Sequence, residues 1–426
     1  MGFMNPRKIG PLPASLFTVG VCLSTLGVDF GCGSQPDADD AGIAGEGGGD
    51  DTAGSGDVVA EGPRRQGDAG DGADGGAGDA GPMVERVFYV TSDDGSLYAY
   101  REGTWQVLRQ WQGLPITDGV RGVDADPVNG VLYVAHGGDG GQNGTGALLA
   151  WSLTQDKVVY DVPLGYGVDQ LAYGDGKIYM PEGEASTGLA WHVLDAATGL
   201  EMTVEAGGAS PHNTIFHNHH RYYGGRYANT LLSPGLGAGA IGPSPSVSAG
   251  IRPFTVNADD TRVWITWTDY RGFSIGSVSS GALLKSVDFG PLPSGWSQTT
   301  ASHGVSLSPD GAEVYVLDMT QNAVRVYDGT DDPSLLATVP LAHGIYGASE
   351  SPCAYDCAKV GWLLHSRDGA YVYVGDSGDV IDTATRMVAT YIAPLHENRH
   401  GFIEVDWTSW PPGKSLSTTT HFGHGY

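Results

Sequence analysis

The chain has 426 residues, 67 of them Gly and only 17% charged, with a formal net charge of −27. That balance excludes nucleic-acid or anionic-membrane binding through a basic surface, because phosphate and anionic lipid would both be repelled. So much Gly with so few charges fits a turn-rich β protein better than a helical one.

Residues 1–32 have a targeting layout. Arg7 and Lys8 precede an apolar stretch from about Ser15 to Val28, too short for a comfortable membrane span, and Gly31-Cys32-Gly33-Ser34 follows. The arrangement resembles a bacterial lipoprotein signal. That likeness implies acylation of Cys32, export to the cell envelope, and membrane contact through that lipid only. A plain cleaved signal and a secreted chain are the alternative. Residues 33–84 carry twelve Asp or Glu against two Arg and almost no aromatic side chains. Such a segment cannot bury enough apolar surface to offset the entropy of ordering, so an extended acidic tether is expected.

From Arg86 onward the pattern changes to short alternating strands between Gly, Asp and Asn turns. "VFYVTSDDGSLYAYR" is followed by "GVLYVAHG", "GKIYMPEG", "RVWITWTD", "AEVYVLDM" and "AYVYVGDSG", each with a partner strand. Their spacing is roughly 45 to 55 residues, the range of four-stranded propeller blades. Six complete units begin near Asp118, Gly167, Ser210, Gly250, Ser302 and His343. The leading unit, Arg86–Gly113, has only three strands, and "RHGFIEVDW", residues 399–407, is a lone strand at the other end. Pairing the two completes a seventh blade and closes the ring, which removes open sheet edges. The expectation is an all-β, seven-bladed β-propeller over residues 85–407, with six or eight blades as alternatives and residues 408–426 as a tail.

"FYVTSDDGSLYAY", "SPDGAEVYVLD" and "VIDTATRMVATYI" resemble the YVTN-type β-propeller repeats of exported bacterial and archaeal proteins, over most of residues 86–407. Ser92 stands where Asn would complete the pattern. The resemblance implies the fold. It leaves function open, because the family includes surface proteins, binding proteins and relatives of lactonases and of nitrous oxide reductase.

In a propeller the innermost strand of each blade lines the channel, so the residues entering those strands converge on the axis. Aligned on their turns, the blades offer Asp118 or Gly119, Asp169, His212, Arg252, His303, His343 and His400 at this position. With 13 His in 426 residues, four imidazoles among seven positions exceed what composition supplies. Gly follows His303, His343 and His400, leaving room for the backbone to bend. His212, His303, His343 and His400 could hold Cu, Fe or Zn. Asp169 and Arg252, with His365 near the channel, could instead bind a small anionic or polar ligand, and a purely structural polar set is the third reading. "HNHHRYY", residues 217–223, and the terminal "HFGHGY" fit exposed segments. Cys353 and Cys357 fit a local disulfide in an exported protein, and Asp124 and Asp126 fit turn caps. No nucleophile elbow, phosphate loop or dinucleotide fingerprint occurs. The chain thus reads as a monomeric, exported propeller binding a small molecule or cell-surface partner at the channel mouth, with no nucleic acid. The competing reading is an enzyme: a His-ligated metal oxidoreductase, or a lactonase-like hydrolase using channel His, Arg and Asp.

Overall fold

The computed structural model describes residues 84–418, apart from 139–143, 187, 235–238, 243–249, 299, 352, 354–356, 400 and 414. The expectations for the signal, for Cys32, for nearly all of the tether, for His400 and for the terminal "HFGHGY" therefore lie outside the described residues. Seven antiparallel sheets follow one another along the chain. Blade 1 holds Glu85–Thr91, Leu97–Arg101 and Val107–Trp111, and its innermost strand is Phe402–Trp407, paired in register from Glu85↔Trp407 to Val90↔Phe402. Blades 2 to 7 open with the innermost strands Val120–Asp126, Ala172–Gly174, Pro211–His217, Ile251–Val256, Val305–Leu307 and Trp362–His365. Innermost strands of blades 2 to 7 lie side by side in turn, Phe402–Trp407 lies beside Val120–Asp126, and its Glu404 accepts from the Tyr373 hydroxyl of blade 7, so the ring closes. The chain is an all-β, seven-bladed propeller sealed by its first and last blade strands. No helix among the described residues is long and apolar enough to cross a membrane.

The second strand of each blade is buried on both faces, which is why "EVYVLD" (Glu313–Asp318) and "YVYVG" (Tyr371–Gly375) read as near-continuous apolar runs. Outermost strands such as Glu201–Ala206 and Met387–Tyr391 are largely exposed and carry the mixed pattern. Between blades the core is aromatic and β-branched: Phe88, Tyr222, Phe254, Trp267, Trp362 and Phe402 are fully buried in one cluster. Burying such a side chain contributes on the order of 1.5–3 kcal/mol.

The turns that join innermost to second strands in blades 6 and 7 repeat one chemistry. In "SPDG", the Ser308 hydroxyl donates to Asp310 Oδ1 (2.7 Å), which also accepts from Ala312 N, and Gly311 sits at φ +70°. In "SRDG", Ser366 donates to Asp368 Oδ1 (2.8 Å), Ala370 N does the same, and Gly369 sits at φ +72°. Only Gly takes that left-handed position without strain. Each such turn sends the chain back along the sheet on the face opposite the channel entry.

The tail differs from expectation. Ser415–Thr418 is a strand, paired antiparallel with Phe402–Trp407 on the edge that Glu85–Thr91 leaves open.

Candidate functional site

The entry face collects two kinds of segment: the residues leading into innermost strands, and the loops joining second to third strands. Blade 3 supplies Asp169 from the first kind and Glu184 from the second. Blade 4 supplies His212 and Arg226 in the same way, blade 5 Arg252, blade 6 His303 and blade 2 Arg121. Asp169 is fully buried, and Arg121, Glu184, His212, Arg252 and His303 are each no more than 4% exposed.

His212 Nδ1 lies 2.8 Å from Asp169 Oδ2 and 3.8 Å from Glu184 Oε2. A carboxylate only accepts, so Nδ1 carries the proton in this bond. Arg226 Nη1 is 2.8 Å from Glu184 Oε2 and Arg252 Nη1 is 3.6 Å from it. Arg121 Nη2 approaches Asp169 at 3.6 Å and Glu184 at 3.8 Å. Arg252 also donates through Nε to Thr268 Oγ1 (3.0 Å). Three guanidiniums thus face two carboxylates, with an imidazole between.

Burial would raise both acids, but their neighbours outweigh it. His212 and then Arg121 hold Asp169 below the usual carboxylate range. His212, helped by Arg226 and Arg252 and opposed by Asp169, holds Glu184 at about 2.

Across from this group, the His303 Nδ1–H donates to the Gly361 carbonyl (2.8 Å), and the ring stands edge-on to Trp362 and 6.2 Å from that of His212. Burial first, then Arg252 and Arg399, push His303 well below its ordinary value. It is therefore neutral, with its lone pair on Nε2.

Polar atoms are left over in this packed region. Among the described residues, His212 Nε2, Glu184 Oε1 and both amide atoms of Asn213 are buried without a hydrogen-bond partner. Native interiors leave few such atoms unsatisfied, and a group of them points to a bound polar molecule. On the blade 1 and blade 7 side, Arg399 approaches Glu350 (3.7 Å) and Asp376 (3.9 Å). Burial and then the Asp376 carboxylate push Glu350 well above its ordinary value. A void of about 10 Å³ lies among Asp93, Arg121, Glu350 and Arg399, about enough for one water.

The expected residues separate into groups. Asp169, His212, Arg252 and His303 are brought together. His343 is not with them: its Nδ1 meets Asp379 Oδ1 (2.7 Å), its ring packs on Tyr391, and its side chain is 40% exposed. The cause is the insertion carrying the Cys353–Cys357 disulfide (S–S 2.14 Å), which delays entry into blade 7 until Lys359–Gly361. His365 lies at the opposite end of its strand, beside the turn, where its Nδ1 meets Ser306 Oγ (2.8 Å). Asp118 is exposed and Gly119 is buried without a side chain to offer, so the buried cation blade 2 brings to this face is Arg121. In "HNHHRYY", His217 pairs with Asp260 and His219 with Asp175, two different neighbouring blades, so the cluster does not converge. Asp126 caps its turn through Val128 N and Asn129 N, whereas Asp124 accepts from Tyr173 N in the next blade.

Glu184, Arg226, Arg121 and Arg399 are the residues that sequence reasoning missed. For Glu184 and Arg226 the signal was the second-to-third-strand loop, which opens on the same face as the entry residues; Arg121 and Arg399 sit in entry segments, three positions after Asp118 and one before His400.

The four-His metal set does not assemble. Asp169, Glu184 and His212 do offer ligand atoms within 4.8 Å of one another, all buried. A divalent cation there would meet Arg121, Arg226 and Arg252 at the same carboxylates, so the donor set fits a metal poorly. Asp93, Glu350 and Cys353 are also close, but the Cys353 sulfur is spent in the disulfide. A separate cavity of about 510 Å³, lined by Pro115, Thr117, His136, Thr145, Asp161 and Leu164 among others, lies on the entry face of blade 2. None of the expected residues lines it.

No family model matches the chain, and no curated protein matches it. Solved structures do. A functionally unknown protein from Desulfotomaculum acetoxidans is similar with TM-score 0.54 and 14% identity, covering 74% of this chain and 98% of that one. U3-55K gives TM-score 0.51 and 14% identity over 68% and 84% of the two chains. The RRP9 WD40 repeats give 0.51 and 13% over 74% and 89%. At such identities the likeness is one of fold, and the fold they share with this chain is the propeller.

Proposed function

We propose that the propeller binds a small, anionic, hydrogen-bonding molecule at the channel mouth, between His212 and His303. The observation that carries this is the group of orphaned buried atoms, His212 Nε2 and Glu184 Oε1, ringed by Arg121, Arg226 and Arg252. The guanidiniums supply the donors that a carboxylate or phosphate oxygen needs, while the two Nε2 atoms and Glu184 can accept from hydroxyls on the same ligand. The tight packing restricts the ligand to a few heavy atoms. Export, the Cys32 lipid anchor, the acidic tether, the monomeric state and the YVTN-type kinship belong to this proposal: a binding propeller held off a membrane on its leash.

Calorimetric titration of the full chain with phosphate, acetate and lactate tests the reading, with metal content measured on the same sample. Saturable binding of at least one anion, lost in Arg252→Ala and His212→Ala, is expected. Stoichiometric Cu, Fe or Zn with no anion binding would overturn it in favour of the metal reading.

A second reading has its own observation. Asp169 fixes the His212 tautomer that leaves Nε2 as a proton acceptor, the arrangement of a general base. A lactonase-like hydrolase would use it to deprotonate water, with Arg121 and Arg252 facing the developing oxyanion. Turnover of a lactone panel by the full chain, abolished in Asp169→Asn, would establish it; no turnover leaves a binding protein.

A further inference from the structure

We infer that the axial edge of blade 1 is a strand-accepting groove, filled in cis by Ser415–Thr418, and that the partner it fits is an extended peptide. In blades 2 to 7 the innermost strand is paired on one side only among the described residues, and its other edge faces the axis. Blade 1 is different. Phe402–Trp407 carries Glu85–Thr91 on one edge and Ser415–Thr418 on the other, with Val405↔Thr418, Asp406↔Ser417 and Trp407↔Ser415 opposed.

The side chains of the innermost strand confirm which way that edge points. Val405 and Trp407 pack into the cluster shared with blade 2, while Glu404 and Asp406 reach Tyr373 and Arg367 of blade 7. Both faces are spoken for by neighbouring blades, so the edge carrying Ser415–Thr418 faces the channel. The pairing covers the end of the strand remote from the entry face, and it therefore occupies the channel opposite the His212 site.

The added strand is held lightly. Three register pairs fix it, and the connecting residues Thr408, Ser409, Pro411 and Gly413 are exposed; among the described residues of that turn, Trp410 packs against the blade 1–blade 2 core. Short edge strands of this kind open locally at little cost, and an open edge with unpaired N–H and C=O groups takes up another strand. The chain's own segment thus holds a place that a peptide in trans, running antiparallel to Phe402–Trp407, can take.

Hydrogen exchange on the full chain, a deletion of residues 409–426, and Ser417→Pro tests this. Protection is expected at Ser415–Thr418 and on the edge amides of Val405–Trp407 in the full chain, and its loss at Val405–Trp407 in the deletion. A synthetic peptide of residues 409–418, added to the deletion variant, should restore that protection. If the deletion variant fails to fold, Ser417→Pro in the full chain must show the same local loss. Unprotected Ser415–Thr418 in the full chain, unchanged Val405–Trp407 in a folded variant, or no response to the peptide would each overturn the inference.

Discussion

His212 and His303 share a side chain and a face of the molecule, but their settings differ. The Asp169 carboxylate sits on one ring, whereas His303 has only a carbonyl partner and two guanidiniums near enough to oppose its charge. Its depressed folded value means the unfolded chain binds a proton first as pH falls. The stability it contributes is present above about pH 6.5 and is lost below it. Asp169 and Glu184 act in the same direction at lower pH: their folded values are depressed, so their contribution is full above about pH 4 and drains away towards Glu184's value of about 2. Acid unfolding should therefore begin near pH 6 and steepen below 4, and denaturant titration of His303→Gln should lack the first phase. Asp169→Asn strands His212 and Arg121 in a dry site and should cost about 3 kcal/mol at neutral pH, on the scale of a broken buried pair. A loss under 1 kcal/mol would mean water reaches the pair.

At the scale of elements, the closure seam has an alkaline weakness. Burial pushes Glu404 up to about 7, with the Asp406 carboxylate adding to it against the pull of the Arg367 N–H. Burial and Glu404 likewise raise Glu102 in the facing blade 1 strand turn, and Arg86 opposes them. A raised folded value gives stability that is full below the ordinary carboxylate range and is lost as pH climbs through the folded value. Glu404→Gln should therefore raise the thermal midpoint at pH 8 and leave it nearly unchanged at pH 5; a variant less stable at both would show that the charge is tolerated. The strands themselves were legible in the sequence because Tyr, Val and Trp runs bounded by "SPDG" and "SRDG" turns dictate them locally. Five of the six unit starts were legible for the same reason; the sixth, set near His343, falls ahead of the innermost strand Trp362–His365. What local pattern could not show was that the insertion before blade 7 moves His343 off the channel, or the pairing of Ser415–Thr418, whose partner lies on a strand already paired. The glycines that follow His303, His343 and His400 likewise sit in different surroundings. A Cβ added at Gly401 would come within 2.5 Å of Thr91 Oγ1 and one added at Gly304 within 3.2 Å of Leu363, whereas one added at Gly344 would meet nothing within 4 Å.

At the scale of the whole molecule, ring closure makes seven weakly specific sheets into one cooperative body. Trp407 is fully buried between blades 1 and 2, and its Nε1–H donates to the Tyr89 hydroxyl at 3.0 Å. Trp407→Ala should cost about 3–5 kcal/mol in a single unfolding transition followed by fluorescence and circular dichroism together; two separated transitions would mean the blades unfold independently. The same closure brings blades 2 to 6 around one axis and so sets Arg121, Asp169, His212, Arg252 and His303 face to face, although 182 positions separate the first from the last in sequence. Half of that site was visible as entry residues. The half supplied by second-to-third-strand loops, Glu184 and Arg226, required the ring to be built first. The central claim, that this face binds a small anion between its two imidazoles, is tested most directly by nitrogen NMR of the full chain labelled on histidine and titrated with phosphate, acetate and lactate. The Nε2 resonances of His212 and His303 should move together and saturate with at least one of them, while His136, His217 and His365 stay still. Movement of His136 without the pair would place the ligand in the blade 2 cavity, and a titration with no saturable shift would contradict the account.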